Sequence, residues 1–335
     1  MSVSMARNEL VSSRLKTQGL VWAYRFDEQV ECAREIVEHD LTADYAGWLH
    51  FNLADRRTRP WLERHAHLSQ AALDALTLPG PQAGAQQVDD GFVLVLFDAG
   101  EQELKLDPES FGALHLYFDA TRVISARTRA LHCADVLRRE FAEGHAAHSS
   151  GELVERLVQS VADNFAATVR QAGDDVDDVE DVILSEQLQD QGRHLGRLRR
   201  LLARLRRHLA ANRSTVAGIT ALLSEDSEEE QRERFVTLAR RLESVAQDLD
   251  LVQERGRLLQ EEIAARLNEQ TNRNLYVLAV VTTVMLPVTL VTGMLGMNVS
   301  GLPWGNSEHG FLWMCGVMFA VAALVLRLMR KARMV

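Results

Sequence analysis

The sequence predicts an α+β cytoplasmic domain with a mixed sheet and helices, followed by long coiled-coil-like helices and two C-terminal transmembrane helices. Three observations predict this architecture. Short runs rich in β-branched and aromatic residues recur up to residue 127. From there to Pro287 the chain contains no further proline and consists mainly of good helix formers. Two long stretches without charged side chains follow near the C-terminus.

The predicted sheet domain contains strand-like runs bounded by glycine or aspartate. They are GLVWAYRF (19–26), GWLHFNL (47–53), GFVLVLFDAG (91–100) and ALHLYFDATRVISAR (113–127). The last run predicts a hairpin that turns at Asp119 and Ala120. Segments 28–40 and 61–76 have the apolar spacing of helices. This mixture of strands and helices predicts one α+β domain.

Long helices are predicted after this domain. Ser149 with Glu152, and Ser227 with Glu230, have the spacing of capping boxes and predict two helix starts. Apolar residues then repeat every three or four positions in two predicted coiled-coil seams. The first seam consists of Leu195, Leu198, Leu202, Leu205 and Leu209. The second consists of Leu238, Leu242, Val245, Leu249, Val252, Gly256, Leu259 and Ile263.

The second seam continues without a break into the first uncharged stretch. A continuous helix from Glu228 to Gly296 would be ~100 Å long at ~1.5 Å per residue. A single chain of this size cannot cover such a rod. The sequence therefore predicts that several copies associate.

The two uncharged stretches predict membrane spans. Residues 275–297 would form a helix ~34 Å long, enough to cross a hydrocarbon core of ~30 Å. Residues 311–328 predict a second span, from whose end Arg327 snorkels to the interface. Basic residues precede the first span and follow the second, so both termini are predicted to be cytoplasmic.

These predictions divide the chain into six segments. They are 1–127 (α/β domain), 128–226 (helices including an acidic and basic hairpin), 227–297 (stalk helix continuing into the first span), 298–310 (external loop), 311–328 (second span) and 329–335 (basic cytoplasmic tail). The net charge of −10 belongs to the large cytoplasmic portion. An acidic surface argues against a nucleic-acid partner.

Opposite charges mark the two middle helices. The run GDDVDDVEDVIL (173–184) is acidic, and RHLGRLRRLLARLRRHLAANR (193–213) is basic, with a turn predicted near Gln191 and Gly192. Folded back as an antiparallel hairpin, the two faces would attract each other. One interpretation is two solvated faces with weak surface pairs. The other is that the acidic side gathers or senses divalent cations through Asp174, Asp175, Asp177 and Asp178.

The sequence proposes no catalyst. It contains no Walker loop, no GxGxxG, no GxSxG elbow and no HExxH. An enzyme is therefore not expected, and neither is a cofactor.

Polar and small residues in the first span follow one another at three or four positions, so they share a helical face. They are Asn272, Leu275, Ala279, Thr282, Leu286, Thr289 and Gly293. One interpretation is a helix-packing face, because small residues let membrane helices approach each other. The other is a pore lined by neutral hydroxyls and apolar side chains. Pro287 would free one backbone carbonyl in the middle of the span.

Three motifs in this region resemble a known family. Thr271 with Asn272, LPVT (286–289) and above all GMLGMN (293–298) resemble the CorA superfamily of divalent-cation transporters. The run GMNVSGLPW is similar to the ZntB branch of zinc transporters. The magnesium branch typically has a Met-Pro-Glu-Leu loop after Gly-Met-Asn, and here Leu302, Pro303 and Trp304 take that region.

The resemblance implies a homopentamer in the bacterial inner membrane, with the first span of each copy around a central pore. Gly296, Met297 and Asn298 would form the outer selectivity ring. Asn272, Leu275, Leu278, Leu286 and Thr289 match positions that line or constrict the pore in the family. The cation is the cargo: Zn²⁺ is expected, and Mg²⁺, Co²⁺ or Ni²⁺ is the alternative. The ZntB branch also implies coupling to protons, for which Glu308 and His309 at the outer mouth are candidates.

Cytoplasmic metal sensing is a further implication of the resemblance. Glu261 is the nearest match to an acidic sensing residue when the chain is aligned from Asn298. An alternative of another class is a membrane-anchored coiled-coil signalling or scaffold protein. It would explain the stalk and the spans but not the residues from Gly293 to Asn298.

Overall fold

A computed structural model describes residues 19–26, 34–35, 45–78, 84–100, 111–145, 147–184, 191–223, 229–296 and 309–331. The chain divides into two compact units, Met1–Gln260 and Glu261–Val335. We call them the N-terminal unit and the C-terminal unit. The division of the chain into six segments stays a prediction.

The N-terminal unit contains a mixed sheet of seven strands in the described part of the chain. The strands are β1 (Leu20–Arg25), β2 (Arg34–Glu35), β3 (Gly47–Asn52), β4 (Gly84–Val88), β5 (Gly91–Ala99), β6 (Phe111–Phe118) and β7 (Arg122–Arg127). Their order is β2-β1-β3-β7-β6-β5-β4, in which β3 and β7 are parallel and the other neighbours antiparallel. The mixed sheet and the predicted hairpin after β6 are confirmed.

One sequence prediction about this sheet is wrong, and one strand of the sheet is not predicted from the sequence. Segment 28–40 was predicted to be helical, but Arg34–Glu35 pair with β1 as a short strand, because a sheet edge offers unpaired backbone groups that override helical spacing. The rest of that segment lies outside the described residues. β4 was not predicted, because GAQQV lacks the β-branched and aromatic residues that mark a strand.

Helices cover both faces of the sheet. α1 (Thr58–His65) and α2 (Gln70–Thr77) pack on one face, where Leu49, Phe51 and Ile124 meet Trp61 and Leu73 in a buried core. On the other face, α3 (His132–Ala142) places Phe141 against aromatic side chains of β1 and β3, with ring centroids 5.2 Å from Tyr24 and 5.5 Å from Trp48.

Segment 61–76 forms parts of two helices rather than one. His67 adopts a left-handed backbone, φ 48°, which interrupts the helix. Ser69 then caps α2, because its hydroxyl oxygen accepts the Ala72 N–H at 3.2 Å. The helical spacing of this segment is confirmed in both helices, but the cap at Ser69 begins a second helix where the sequence predicted one.

Three long helices complete the described chain up to residue 296. They are α4 (Ser150–Leu184), α5 (Gln191–Leu222) and α6 (Glu229–Leu295). The predicted cap at Ser149 is confirmed, since its hydroxyl accepts the Glu152 N–H at 3.2 Å. Ser227 lies outside the described residues. The turn predicted near Gln191 and Gly192 falls where α4 has ended at Leu184 and α5 begins at Gln191, and residues 185–190 between them lie outside the described residues.

Both predicted leucine seams are covered. Leu195, Leu198, Leu202, Leu205 and Leu209 of α5 are buried, as are Leu238, Leu242, Val245, Leu249, Leu259 and Ile263 of α6. The continuous stalk helix is also confirmed, since α6 extends unbroken past Pro287.

The expected attraction between acidic α4 and basic α5 takes a different form. Acidic residues of α4 and basic residues of α5 form their ion pairs with α6, which carries charged side chains of both signs. Arg255 of α6 pairs with Asp177 and Glu180 of α4. Arg213 of α5 pairs with Glu243 of α6. The sequence prediction missed this because it considered only the two neighbouring helices.

α5 also joins the helices to the sheet through the edge of β5. Phe97 lies beyond the last residue of β5 that pairs with β4. Its N–H donates to the Asn212 side-chain oxygen at 2.7 Å, and its carbonyl accepts from the Asn212 amide nitrogen at 2.8 Å. One buried amide side chain thus replaces the missing strand partner.

The C-terminal unit consists of the last part of α6 and α7 (Gly310–Lys331) in the described residues. Both helices contain segments long and apolar enough to cross a membrane. Against the described residues of the chain, no residue in the most apolar part of either helix is buried. This apolar surface needs a cover other than the rest of the chain.

Candidate ion pathway

The predicted pore face of α6 is fully uncovered in the single chain. Asn272, Ala279, Thr282 and Thr289 are exposed. The predicted apolar constrictions are equally bare, with Leu278 at 61% and Leu286 at 63% exposure. No contact within the described chain therefore uses this face.

The more covered side of the same helix lies opposite. Its partly buried residues are Val280, Val284, Pro287, Val288 and Val291. At ~100° per residue, this side is centred almost half a turn from Thr282 and Leu286. The polar face and the covered face are thus separate, so the polar residues do not pack against any described part of the chain.

The threonine hydroxyls on this face present acceptor oxygens outward. Thr282 donates its proton to the Leu278 carbonyl at 2.8 Å, and Thr289 donates to the Met285 carbonyl at 2.8 Å. Each hydroxyl has one proton and two lone pairs. Because the proton is used within the helix, a lone pair on each oxygen remains for a cation or its water shell.

Pro287 adds another acceptor near the middle of the span. Proline has no N–H, so the carbonyl of Thr283 receives no helical hydrogen bond from it. Such a carbonyl is tolerated in a membrane where it lines a cavity or meets protein. The sequence had predicted this freed carbonyl from the proline alone.

The predicted selectivity ring begins at the end of α6. The Gly296 N–H donates to the Thr292 carbonyl at 2.9 Å, which makes the last described turn. Met297 and Asn298 lie outside the described residues. Gly293, one turn earlier, faces open space, and an added Cβ there would meet nothing within 4 Å. Nothing in the described chain requires glycine at that position.

The remaining predicted metal residues do not converge within one chain. Asp174, Asp175, Asp177 and Asp178 lie along α4, and Asp177 is paired with Arg255. Over the described ranges, no group of three His, Cys, Asp or Glu side chains could hold a metal ion. Glu261 is exposed on α6, and His309 is exposed just before α7. Glu308 lies outside the described residues.

One buried carboxylate was missed by the sequence analysis. Asp98 of β5 accepts the Cys133 N–H at 2.7 Å and the Asn164 side-chain amide at 2.6 Å, so it joins the sheet to α3 and α4. Burial raises the pKa of Asp98. The only signal for Asp98 in the sequence is its position within an apolar run, and its contacts mark a structural centre of the N-terminal unit.

Comparison with known proteins identifies the family of this arrangement. The model of the CorA-like Mg²⁺ transporter protein family matches residues 44–331. The divalent cation transporter CmaX of Pseudomonas aeruginosa is 28% identical over 321 residues, covering 94% of this chain and 97% of that protein. The zinc transport protein ZntB of Klebsiella pneumoniae is 26% identical, covering 92% and 94%.

Solved structures agree with the fold. The structure of full-length CmaX superposes with a TM-score of 0.77 over 94% of this chain and 98% of that chain. The complete CorA magnesium transporter of Methanocaldococcus jannaschii also gives 0.77, at 16% identity, over 92% and 97%. At that identity the second likeness supports the fold alone. The predicted resemblance to the CorA superfamily and its ZntB-like branch is confirmed.

Proposed function

The chain belongs to the CorA-like Mg²⁺ transporter protein family and is a divalent cation transporter, and from this premise we propose that it conducts Zn²⁺ through the central pore of a homopentamer. Members of this family are transporters, so the expectation that the chain is not an enzyme is confirmed. The observation that carries the proposal is the exposed polar face of α6, because a face that no described residue of the chain covers is free to line a pore.

In this proposal the first spans of five copies surround the axis. The pathway is lined by polar, small and leucine side chains of these spans: Asn272, Leu275, Leu278, Ala279, Thr282, Leu286, Thr289 and Gly293. The outward hydroxyl oxygens of Thr282 and Thr289 suit a cation that keeps part of its water shell. Gly296, Met297 and Asn298 form the outer ring, where neutral amide and carbonyl oxygens bind weakly enough to release the ion.

Rings of Leu275, Leu278 and Leu286 provide the constrictions of this pathway. Each leucine is more than half exposed in the single chain, so five copies would bring apolar side chains together around the axis. Apolar constrictions gate by excluding water. The hydroxyl rings between them would restore hydration.

Zinc is favoured over magnesium by the names of several relatives. ZntB proteins are described as zinc transport proteins, and CmaX as a divalent cation transporter. The second candidate is Mg²⁺, or Co²⁺ or Ni²⁺, because the family itself is described by Mg²⁺ transport. Hydrated Zn²⁺ and Mg²⁺ present octahedral water shells of similar size, so selection between these two ions depends on the proposed outer ring.

The proposed setting is the bacterial inner membrane, crossed twice, with both termini in the cytoplasm. Arg327 and Lys331 near the end of α7 support this orientation. Two charges that move down an inward-negative potential gain ~4.6 kcal/mol per 100 mV. This gradient is sufficient for uptake through a pore. Residues 275–296 contain no ionisable side chain except Tyr276, so coupled protons would be carried by Glu308, by His309, by the cytoplasmic acidic groups or by Zn²⁺-bound water.

The test is uptake by the full-length protein in liposomes with a controlled pH gradient. We expect Zn²⁺ entry that is lost in Asn298→Ala, and a native mass of five chains. Preference for Mg²⁺ would favour the second candidate. Equal Zn²⁺ uptake with and without a pH gradient would contradict proton coupling. Unchanged uptake by Asn298→Ala would contradict the proposed outer ring.

A further inference from the structure

α4 and α5 each carry a line of like charges that has no ion pair within the described ranges. The acidic stripe of α4 consists of Asp174, Asp178 and Asp181. The basic stripe of α5 consists of Arg197, Arg200 and Arg207. All six side chains are exposed. Several other charged residues of these helices, such as Asp177 and Arg213, have ion-pair partners on α6.

Each stripe lies on the outer side of its helix. On α4 the buried residues of the same segment include Ala172, Val176 and Val179. At ~100° per residue, the acidic stripe is centred about half a turn from them. The basic stripe lies in the same way opposite the buried leucine seam of α5. Packing within the N-terminal unit therefore leaves both stripes free.

Ion pairs fix the register of α4 along α6. Glu155 pairs with Arg234 at 3.2 Å, and Asp163 pairs with Arg241. These partners are 79 and 78 positions apart, and Asp177 with Arg255 keeps the same offset. A constant offset means that α4 runs parallel to α6. Asp178 is therefore level with the region of Gly256.

Ion pairs and hydrogen bonds fix the register of α5 in the opposite direction. Arg213 pairs with Glu243, and Arg206 pairs with Asp250 at 3.5 Å. Further along, Arg199 donates to the Gln260 side-chain oxygen. The numbers rise on one helix as they fall on the other, so α5 is antiparallel to α6. Interpolation places Arg200 level with the region of Gly256 too.

The two stripes thus occupy the same height along α6. Asp178 matches Arg200 and Asp181 matches Arg197, while Asp174 and Arg207 differ by less than one helical turn of ~5.4 Å. The helices run in opposite directions, so this match is not a consequence of sequence spacing alone. The matching heights matter if copies form a ring around an axis parallel to α6. Rotation about that axis carries each residue around the ring but leaves its height along the axis unchanged, so the two stripes of neighbouring copies would lie at the same height.

We propose that the acidic stripe of one copy docks against the basic stripe of the next copy in the ring. The inference rests on the proposed oligomer around an axis along α6 and assigns a partner to this surface: a second copy of the same chain. The contact is heterologous, since each copy offers one stripe to each neighbour, and such contacts form a ring when the rotation between copies closes. A slip along the axis would misalign the charges, so the stripes set the register of neighbouring copies.

Cross-linking between two differently labelled chains tests the contact. One full-length chain carries Asp178→Cys and the other Arg200→Cys, and both are co-expressed in the same membranes. A short bis-maleimide then joins them, since long ion-pair side chains hold their Cβ atoms farther apart than the ~3.8 Å of a disulfide. Because each chain has one introduced cysteine, a mixed dimer can arise only between subunits. We expect this dimer as the main cross-linked product.

A mismatched pair is the control. Asp178→Cys with Arg207→Cys places the cysteines ~10 Å apart in height, and its dimer yield should fall to that of chains without introduced cysteines. Equal yields for matched and mismatched pairs would overturn the proposal. A background yield for the matched pair would also overturn the proposal. If that protein is still oligomeric by native mass and its uptake is intact, the proposed function would stand. A monomeric wild type would overturn both.

Charge reversal provides an independent test. Asp178→Arg and Arg200→Asp should each lower the fraction of intact oligomer in mild detergent, and the double variant should restore it. Arg56→Asp, an exposed change of the same charge on the sheet domain, should leave the fraction unchanged. Loss of binding to phosphatidylglycerol vesicles in Arg200→Asp that Asp178→Arg does not repair would instead assign the basic stripe to lipid and contradict the docking.

Discussion

The two units of the chain differ in the exposure of their large apolar side chains. In the N-terminal unit, large apolar side chains are buried on both faces of the sheet and along the helix seams. Asp98 and Asn212 are buried polar groups of this unit that are hydrogen-bonded. In the C-terminal unit the large apolar side chains of the spans are exposed, and Phe319 is 82% exposed. The first unit completes its core by itself, whereas the second needs lipid and further copies.

This difference predicts where substitutions act. In the N-terminal unit a substitution should change the stability of the single chain. On the bare face of α6 a substitution should leave the single chain intact and change assembly or transport. The five predictions that follow use this contrast.

The largest effect is expected at Gly293. An added Cβ at Gly293 would meet no described atom within 4 Å, so Gly293→Val should leave the folding of the single chain unaffected. In the proposed pore five valines would crowd the axis, and we expect uptake in liposomes to fall by ~100-fold, equivalent to ~2.7 kcal/mol. Gly316→Val on α7 is the matched control, since that glycine also faces open space. Equal losses in both variants would argue against a pore at Gly293.

A stability effect is expected at Asp98. Asp98→Asn keeps the shape but puts an amide donor against one of two donors, Cys133 N–H or Asn164. Leaving a buried donor unsatisfied costs ~1–3 kcal/mol, seen as a lower midpoint in thermal unfolding of the full-length protein. Asp90→Asn, at an exposed turn, should have no such effect.

The same carboxyl predicts a pH dependence. Burial raises the pKa of Asp98 above its ordinary value of 3.8, so the folded chain holds this proton more tightly than the unfolded chain. The contribution to stability is complete below the unfolded pKa and is lost as pH rises through the folded pKa. Asp98→Asn should remove this part of the pH profile. An identical profile in the variant would contradict the assignment.

The success of sequence reasoning follows the same contrast. Periodicity predicted α6 and the leucine seams because a buried stripe leaves a regular pattern of apolar residues. The motif from Gly293 to Asn298 predicted the family. The sequence could not show β4 or the pairing of α4 and α5 with α6, because an edge strand and exposed ion pairs depend on which elements become neighbours. Asp98 was missed for the same reason, since its partners come from two distant helices.

A smaller effect is expected for the hydroxyls of the bare face. Thr289→Val removes an acceptor oxygen but keeps the shape of the side chain. We expect uptake to fall several-fold, with unchanged thermal unfolding, because the lost hydroxyl served no contact outside its own helix. Thr292→Val is the control, since Thr292 also donates to a carbonyl of its own helix but lies off the predicted face. A greater loss for Thr292→Val would place the pathway on another side of α6.

The smallest effect is expected for an exposed ion pair of the N-terminal unit. Arg206 and Asp250 are 3.5 Å apart, with side chains that are 64% and 57% exposed. Water and salt screen such pairs, so Arg206→Ala should lower the free energy of unfolding by less than ~0.5 kcal/mol. Its partner Asp250→Ala should behave alike, and the double variant should equal the sum within error. The buried seams are expected to supply nearly all of the free energy that holds α4, α5 and α6 together. A loss well above ~0.5 kcal/mol for either variant would mean instead that ion pairs with α6 hold the helices together.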